Sequence, residues 1–293
     1  MRILVTGGTG VIGYKLVKLL VNKGEDVHYT FLANNVGIPE AVAHKLDVKD
    51  SGAVIDFIKN IKPDLTFHTI ALTKVDLCET NHQLADAINI QGTRNVVDAC
   101  KQVDSKIVFV STSAVFDGKK QVYYEQDARN PQYYYAFTKA EGEKIVENSG
   151  LGFLILRTDQ PYCWVEKWQH DNSVLRVLNK LKAGEVMKDV IDWYSNPTLV
   201  DNFVEVAYAL IKKNKNGIYH VIGSDFLNRY EMALKVAEVF SLDKNLVQPM
   251  KSADLNLPAK RVNVNMNNEK AQKDSGIKLL NFEESLIKMR NQI

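Results

Sequence analysis

The chain has 293 residues, 45% of them hydrophobic and 25% charged, enough apolar material for a large core and too much for a disordered chain. Thirty-seven Lys and Arg against 35 Asp and Glu leave a formal net charge of +2, so no global field draws in nucleic acid or an anionic membrane surface. Three cysteines (Cys78, Cys100, Cys163) without a C-x-x-C pair, and six scattered histidines, argue for a reducing cytoplasm and against a protein-built metal site. The opening apolar run turns into Gly7 too soon for a signal segment, and no later stretch approaches a membrane span.

Taken in chain order, short β-branched runs at 3–6, 27–32, 65–69, 106–111 and 153–156 alternate with amphipathic stretches at 11–21, 54–61, 84–101 and 136–147. The strands are nearly all apolar, as when both sheet faces are covered. The alternation predicts an α/β fold, a doubly wound parallel sheet over residues 1–160. After Arg157 the rhythm changes. Aromatic loops at 161–169 and 191–197 lead to a helix at 201–212, a returning strand near 217–222 and a helix at 228–240. Residues 161–293 are therefore expected to hold mainly a smaller, discontinuous substrate lobe.

The run Thr6-Gly7-Gly8-Thr9-Gly10-Val11-Ile12-Gly13 follows the first strand and opens the first helix. Glycines 7, 10 and 13 are spaced for a tight turn, close approach to a pyrophosphate and close helix packing, with the phosphates at the helix N-terminus. The second strand ends in His28-Tyr29-Thr30-Phe31-Leu32-Ala33-Asn34-Asn35. It carries no acidic residue to bind a ribose 2′-hydroxyl or repel a 2′-phosphate, which favours NADP(H) and leaves NAD(H) admissible. Asp47, before Val48, follows a short third strand and can receive the adenine amino group or simply begin a turn; Asp50 or Ser51 is the better cap of the next helix.

Reduction at such a site calls for a proton donor of tuned pKa. Tyr135 and Lys139 are spaced i, i+4 on one helix face, as a lysine that lowers a tyrosine's pKa from about 10 requires. Tyr14 with Lys18 and Tyr208 with Lys212 share the spacing, but only Tyr135 opens a helix after the tip of a central strand, Ser111-Thr112-Ser113, at the ligand-binding edge. The other two pairs read as packing tyrosines with snorkelling lysines. Thr112 can polarise a substrate carbonyl beside Tyr135. Tyr133 and Tyr134 adjoin Tyr135, and a register slip of one residue would reassign the acid. Trp164, Trp168 and Trp193 either stack on a ligand or fill the lobe, and Arg229 and Tyr230 either touch a nucleotide or bridge at a helix start.

These residues resemble the extended short-chain dehydrogenase/reductase superfamily and, within it, the dTDP-4-dehydrorhamnose reductase (RmlD-like) family. The resemblance is carried by the glycine turn, Lys62-Pro63-Asp64, Ala71-Leu72-Thr73-Lys74-Val75-Asp76 with Glu79, Asn89-Ile90-Gln91-Gly92-Thr93, Ser111-Thr112-Ser113 with Val115-Phe116-Asp117-Gly118, Tyr135 to Lys139 with Glu141-Gly142-Glu143, Leu156-Arg157-Thr158 and Pro197-Thr198. It implies Thr112, Tyr135 and Lys139 as the catalytic set, with Asn89 ordering the site and Asp47, Val48 and Ala71 lining the cofactor groove. It also implies a nucleotide-linked 4-keto-6-deoxysugar as substrate, and leaves a homodimer open.

Three segments depart from the family pattern. Thr112-Ser113-Ala114 stands where Thr-Asp-Tyr is common. Asp159-Gln160-Pro161-Tyr162-Cys163 replaces a Ser-Trp-Val-Tyr-Gly stretch, and Ala259-Lys260-Arg261 an Arg-Pro pair. The departures keep two alternatives in view: an NAD-dependent nucleotide-sugar epimerase or dehydratase, and a non-catalytic NADP-binding subunit resembling the regulatory subunit of methionine adenosyltransferase.

Overall fold

A computed structural model describes residues 1–292. Seven parallel strands form its central sheet: β1 (Arg2–Thr6), β2 (Asp26–Phe31), β3 (Ala41–Lys45), β4 (Leu65–His68), β5 (Lys106–Thr112), β6 (Phe153–Thr158) and β7 (Gly217–His220). Their spatial order is β7-β6-β5-β4-β1-β2-β3. Winding reverses between β1 and β4, so a crevice opens at the carboxyl ends of those strands.

The apolar strands are explained by helices on both faces. On one side α1 (Val11–Asn22) and α6 (Val200–Lys212) bury Leu16, Val17, Phe203 and Leu210 against Ile3, Val5, Val27 and Phe67. On the other, α2 (Ser51–Ile61), α3 (Gly92–Lys101) and α4 (Tyr134–Glu147) cover Leu4, Ile107, Phe109 and Ile155. Alternate residues of one strand thus feed two cores. Asp50 caps α2, its Oδ1 accepting the Ala53 N–H at 3.0 Å. Lys18 lies over the Tyr14 ring and Lys212 over the Tyr208 ring, so both decoy pairs are packing pairs.

The lobe is built on α5 (Ser173–Lys182), α7 (Arg229–Val239) and α8 (Phe282–Arg290), which share a core of Val174, Leu178, Met232, Val236, Phe282 and Leu286. Asn172 caps α5, and Asn228 with Glu231 and Asn281 with Glu284 form capping boxes at α7 and α8. Trp164 belongs to the lobe's packing, its indole N–H donating to the Met289 carbonyl at 2.7 Å. Between lobe segments the chain returns to the sheet through α6 and β7.

The stretch expected as a single helix over 84–101 is broken. A short helix, His82–Ala85, passes into a π-helical turn, Asp86–Gln91, before α3. The Asn89 side chain bonds to the loop after β4, and the Asn89 backbone carbonyl accepts the Thr93 hydroxyl at 2.6 Å. Single π-turns of this kind concentrate at functional sites.

Candidate active site

The glycine turn is shaped by contacts that exclude side chains. Gly7 has φ +76°, and a Cβ on Gly13 would lie 2.2 Å from the Gly7 carbonyl oxygen. Gly10 stands at the N-cap of α1 in extended conformation, with no side-chain cap and no acidic residue in the first turn. The helix N-terminus therefore offers its N–H groups and positive dipole end to an anion. Val11 and Ile12 follow, half-buried. The Thr9 carbonyl is engaged from the lobe by the Trp168 indole at 3.3 Å and the Gln169 amide at 3.0 Å. This cradle fits a dinucleotide pyrophosphate.

At the end of β2, residues 32–35 are exposed and carry no carboxylate. Lys45, also exposed, stands in register with Phe31 at that edge, a cation that belongs to no motif of the sequence. Asp47 is committed locally, its Oδ1 accepting the Lys49 N–H at 3.0 Å. The Val48 side chain is buried in the core against Gly92, and its carbonyl accepts from the Asn95 amide at 2.8 Å. Only the backbone N–H of Val48 is left for a ligand. Ala71 is half-buried in the loop after β4, which Asn89 fixes: Oδ1 accepts the Leu72 N–H at 2.7 Å while Nδ2 donates to the Leu72 carbonyl at 3.2 Å.

Asn89 also reaches the proposed acid. Its Nδ2 donates to Thr138 Oγ1 at 2.9 Å, and that hydroxyl donates to the Tyr135 carbonyl at 2.8 Å. One amide thus ties the cofactor-side loop to the first turn of α4. The start of α4 is held from outside by Glu79, whose Oε2 accepts the Tyr134 N–H at 2.8 Å. The Tyr134 phenol bonds Asp86 at the surface, leaving Tyr135 as the tyrosine of this run that stands beside Thr112. Thr112 Oγ1 accepts the Ala114 N–H at 3.2 Å, so its own O–H is free to donate.

Burial raises the Tyr135 phenol well above its ordinary pKa; Tyr133, Cys78 and Asp159 add to the rise and the Thr112 hydroxyl opposes it. The expected direct action of Lys139 on the phenol is not what the geometry gives. The Lys139 ammonium lies 3.9 Å from the Phe109 ring centroid, and burial lowers its pKa to about 7 against the pull of Glu143. Spacing put both residues on one helix face, but the lysine folds onto the sheet. Glu143 itself is spent elsewhere: it takes a bidentate pair from buried Arg157 at 2.9 and 2.7 Å and a third bond from Arg129 at 3.0 Å.

Across the cleft, Arg261 lies 5.8 Å from the Tyr133 ring and 5.5 Å from the Trp193 ring, and Arg229 lies 5.1 Å from the same Trp193 ring. Arg261 also pairs with Asp76 at 2.9 Å, joining the lobe to the Val75–Thr80 helix. Asp159, half-buried, sits among Ser113, Asn196, Tyr133 and Tyr135, with the buried Arg229 guanidinium acting on its charge. The sequence marked Asp159 as a departure without assigning it a place.

The family model for the RmlD substrate binding domain matches residues 1–293. A dTDP-4-dehydrorhamnose reductase from Aggregatibacter actinomycetemcomitans is 29% identical over 302 aligned residues, covering 99% of this chain and 98% of that protein. Methionine adenosyltransferase 2 subunit beta of Bos taurus is 27% identical, covering 85% of this chain and 75% of that one. Among solved structures, dTDP-4-dehydrorhamnose reductase of Bacillus anthracis in complex with NADP superposes with TM-score 0.88 at 26% identity, covering 100% of this chain and 99% of that chain.

Proposed function

From the membership of this chain in the RmlD substrate binding domain family, we propose that it is an NADPH-dependent reductase of a nucleotide-linked 4-keto-6-deoxysugar. The observation that carries the reading is the convergence of Tyr135 and Thr112 at the carboxyl edge of the sheet, the edge from which the glycine turn also opens with Gly7, Gly8 and Gly13 too closely packed for a side chain. NADPH, when bound, supplies the hydride.

The chain's own residues do the rest. The Gly7, Thr9, Gly10, Val11, Ile12 and Gly13 turn holds the pyrophosphate, with Ala71, Asp47 and the Val48 backbone along the groove. The absence of a carboxylate at 32–35 and the presence of Lys45 suit a 2′-phosphate. Thr112 donates to the sugar carbonyl and Tyr135 delivers a proton to its oxygen. A phenol kept protonated by its surroundings is the right form for a donor. Lys139, lowered to about 7, is poised to take a proton beside an anionic ligand and to bind its ribose hydroxyls. Asn89 acts through Thr138 and Leu72 as a positioning residue.

The test is nicotinamide absorbance followed with a set of dTDP- and UDP-linked 4-keto sugars. Oxidation of NADPH by at least one of them is expected; none across the set contradicts the reading. The likeness to methionine adenosyltransferase 2 subunit beta supports a second reading, a cofactor-binding regulatory subunit. NADPH binding without turnover, with co-purification of another enzyme, would favour it.

A further inference from the structure

The structure keeps one carboxylate in the cleft that the reduction does not use. β5 and β6 pair with Thr112 opposite Thr158, so Ser113 and Asp159 leave the sheet side by side, one residue beyond Thr112. Asp159 Oδ2 accepts the Asn196 N–H at 2.8 Å, and the Ser113 hydroxyl, the Arg229 charge and the Gln160 N–H also favour its charged form. Gln160, next in sequence, has φ +38°, a left-handed conformation unfavourable for a non-glycine residue. Its carbonyl accepts the Thr198 N–H at 3.3 Å. The turn is thus pinned, and it holds Asp159 close enough to Tyr133 and Tyr135 for its charge to raise both phenols.

The neighbouring carboxylates are committed, Asp76 to Arg261 and Asp189 to Arg176. Among the described residues Asp159 has no ion pair. The buried Arg229 guanidinium pulls on it from beyond salt-bridge distance, but burial outweighs that pull, so the carboxylate is a net cost to folding and stability does not account for it. An ionised carboxylate has about four acceptor sites, more than the three donors here fill.

The inference rests on the reductase reading. In a 4-keto-6-deoxyhexose the carbons flanking the ketone are C3 and C5. C5 carries the ring oxygen and the methyl group, so the one hydroxyl next to the reacting carbon is on C3. With the ketone oxygen held by Tyr135 and Thr112, the geometry points to Asp159 as the acceptor of a hydrogen bond from the C3 hydroxyl, and hence as the residue that selects α-hydroxy ketones over their deoxy counterparts.

The experiment compares a dTDP-linked 4-keto-6-deoxyhexose with its 3-deoxy counterpart, in turnover with NADPH and in calorimetric binding to NADP+-loaded enzyme. Wild type is expected to favour the hydroxyl-bearing sugar by about 10- to 100-fold, as one hydrogen bond to a charged group sustains. Asp159→Ala should shrink the ratio to within about threefold by losing on that sugar alone, and Asp159→Asn should keep part of it. Unchanged NADP+ affinity certifies the fold of each variant. Discrimination in binding with reduction of neither sugar would overturn the reductase reading and support Asp159. An equal ratio in wild type and Asp159→Ala overturns the assignment, whether or not reduction occurs.

Discussion

Two residues of the cleft carry pH dependences of opposite sign. Asp159 is raised to about 6, chiefly by burial, so between about pH 4 and 6 the folded protein holds a proton that the unfolded chain has lost. Stability from this group falls as pH rises through that window, and the penalty is full above pH 6. Asp159→Asn should therefore raise the melting temperature at pH 8 and leave it nearly unchanged at pH 4; a lowered melting temperature at pH 8 would mean that the carboxylate is structural. Lys139, lowered to about 7 by burial, is mostly neutral at pH 8. Binding an anionic dinucleotide beside it should draw a proton on, by up to about one per site. Calorimetry of NADP+ binding at pH 8 in buffers of different ionisation heat reads this uptake directly. It should be present in wild type and lost in Lys139→Met, and equal uptake in the two would exclude the lysine.

At the scale of elements, the π-turn is the joint between cofactor loop and catalytic helix. Asn89→Ala removes the partner of a Leu72 N–H and C=O and of the Thr138 hydroxyl, a loss of about 2–4 kcal/mol if the groups stay dry. Denaturant melts should show that loss. Because α4 is released at its first turn, kcat should fall more than NADPH affinity; a fall in affinity alone would place Asn89 only on the cofactor side. The strands were legible because burial on both faces leaves each a short apolar run, and the glycine turn because its contacts admit no other residue. The π-turn was not, since its cause is a bond from Asn89 to Leu72, 17 residues away. Tyr135 was found by its position at the end of a central strand, not by its lysine spacing. Asp159 stood out as a departure, but its surroundings come from Asn196, 37 residues on.

For the whole molecule, the fold behind the cleft turns on Glu143. It lies fully buried between Arg157, itself 1% exposed, and Arg129, and Arg157 reaches on to the Glu125 carbonyl and His220. One carboxylate thereby couples α4, β6, β7 and the loop before α4. Glu143→Gln leaves a buried guanidinium without its counter-charge and should cost about 3–5 kcal/mol, read as a drop in the urea midpoint at constant slope. An unchanged midpoint would show that the network is replaceable. Losing Glu143 also removes a charge that opposes the effect of burial on Lys139, so structural and chemical sites share this support. The lobe docks through Arg261 on Asp76 and through Trp168 and Gln169 on Thr9, setting its cleft against the catalytic edge.

The central claim is that the Tyr135 phenol gives the proton while the glycine turn holds the hydride donor. The most direct measurement takes wild type and Tyr135→Phe through NADPH binding and through turnover of whichever 4-keto nucleotide sugar wild type reduces. Binding should be the same in both, and turnover should fall by about 100- to 10,000-fold, the range of a lost general acid. Turnover within a few-fold of wild type in Tyr135→Phe would contradict the claim.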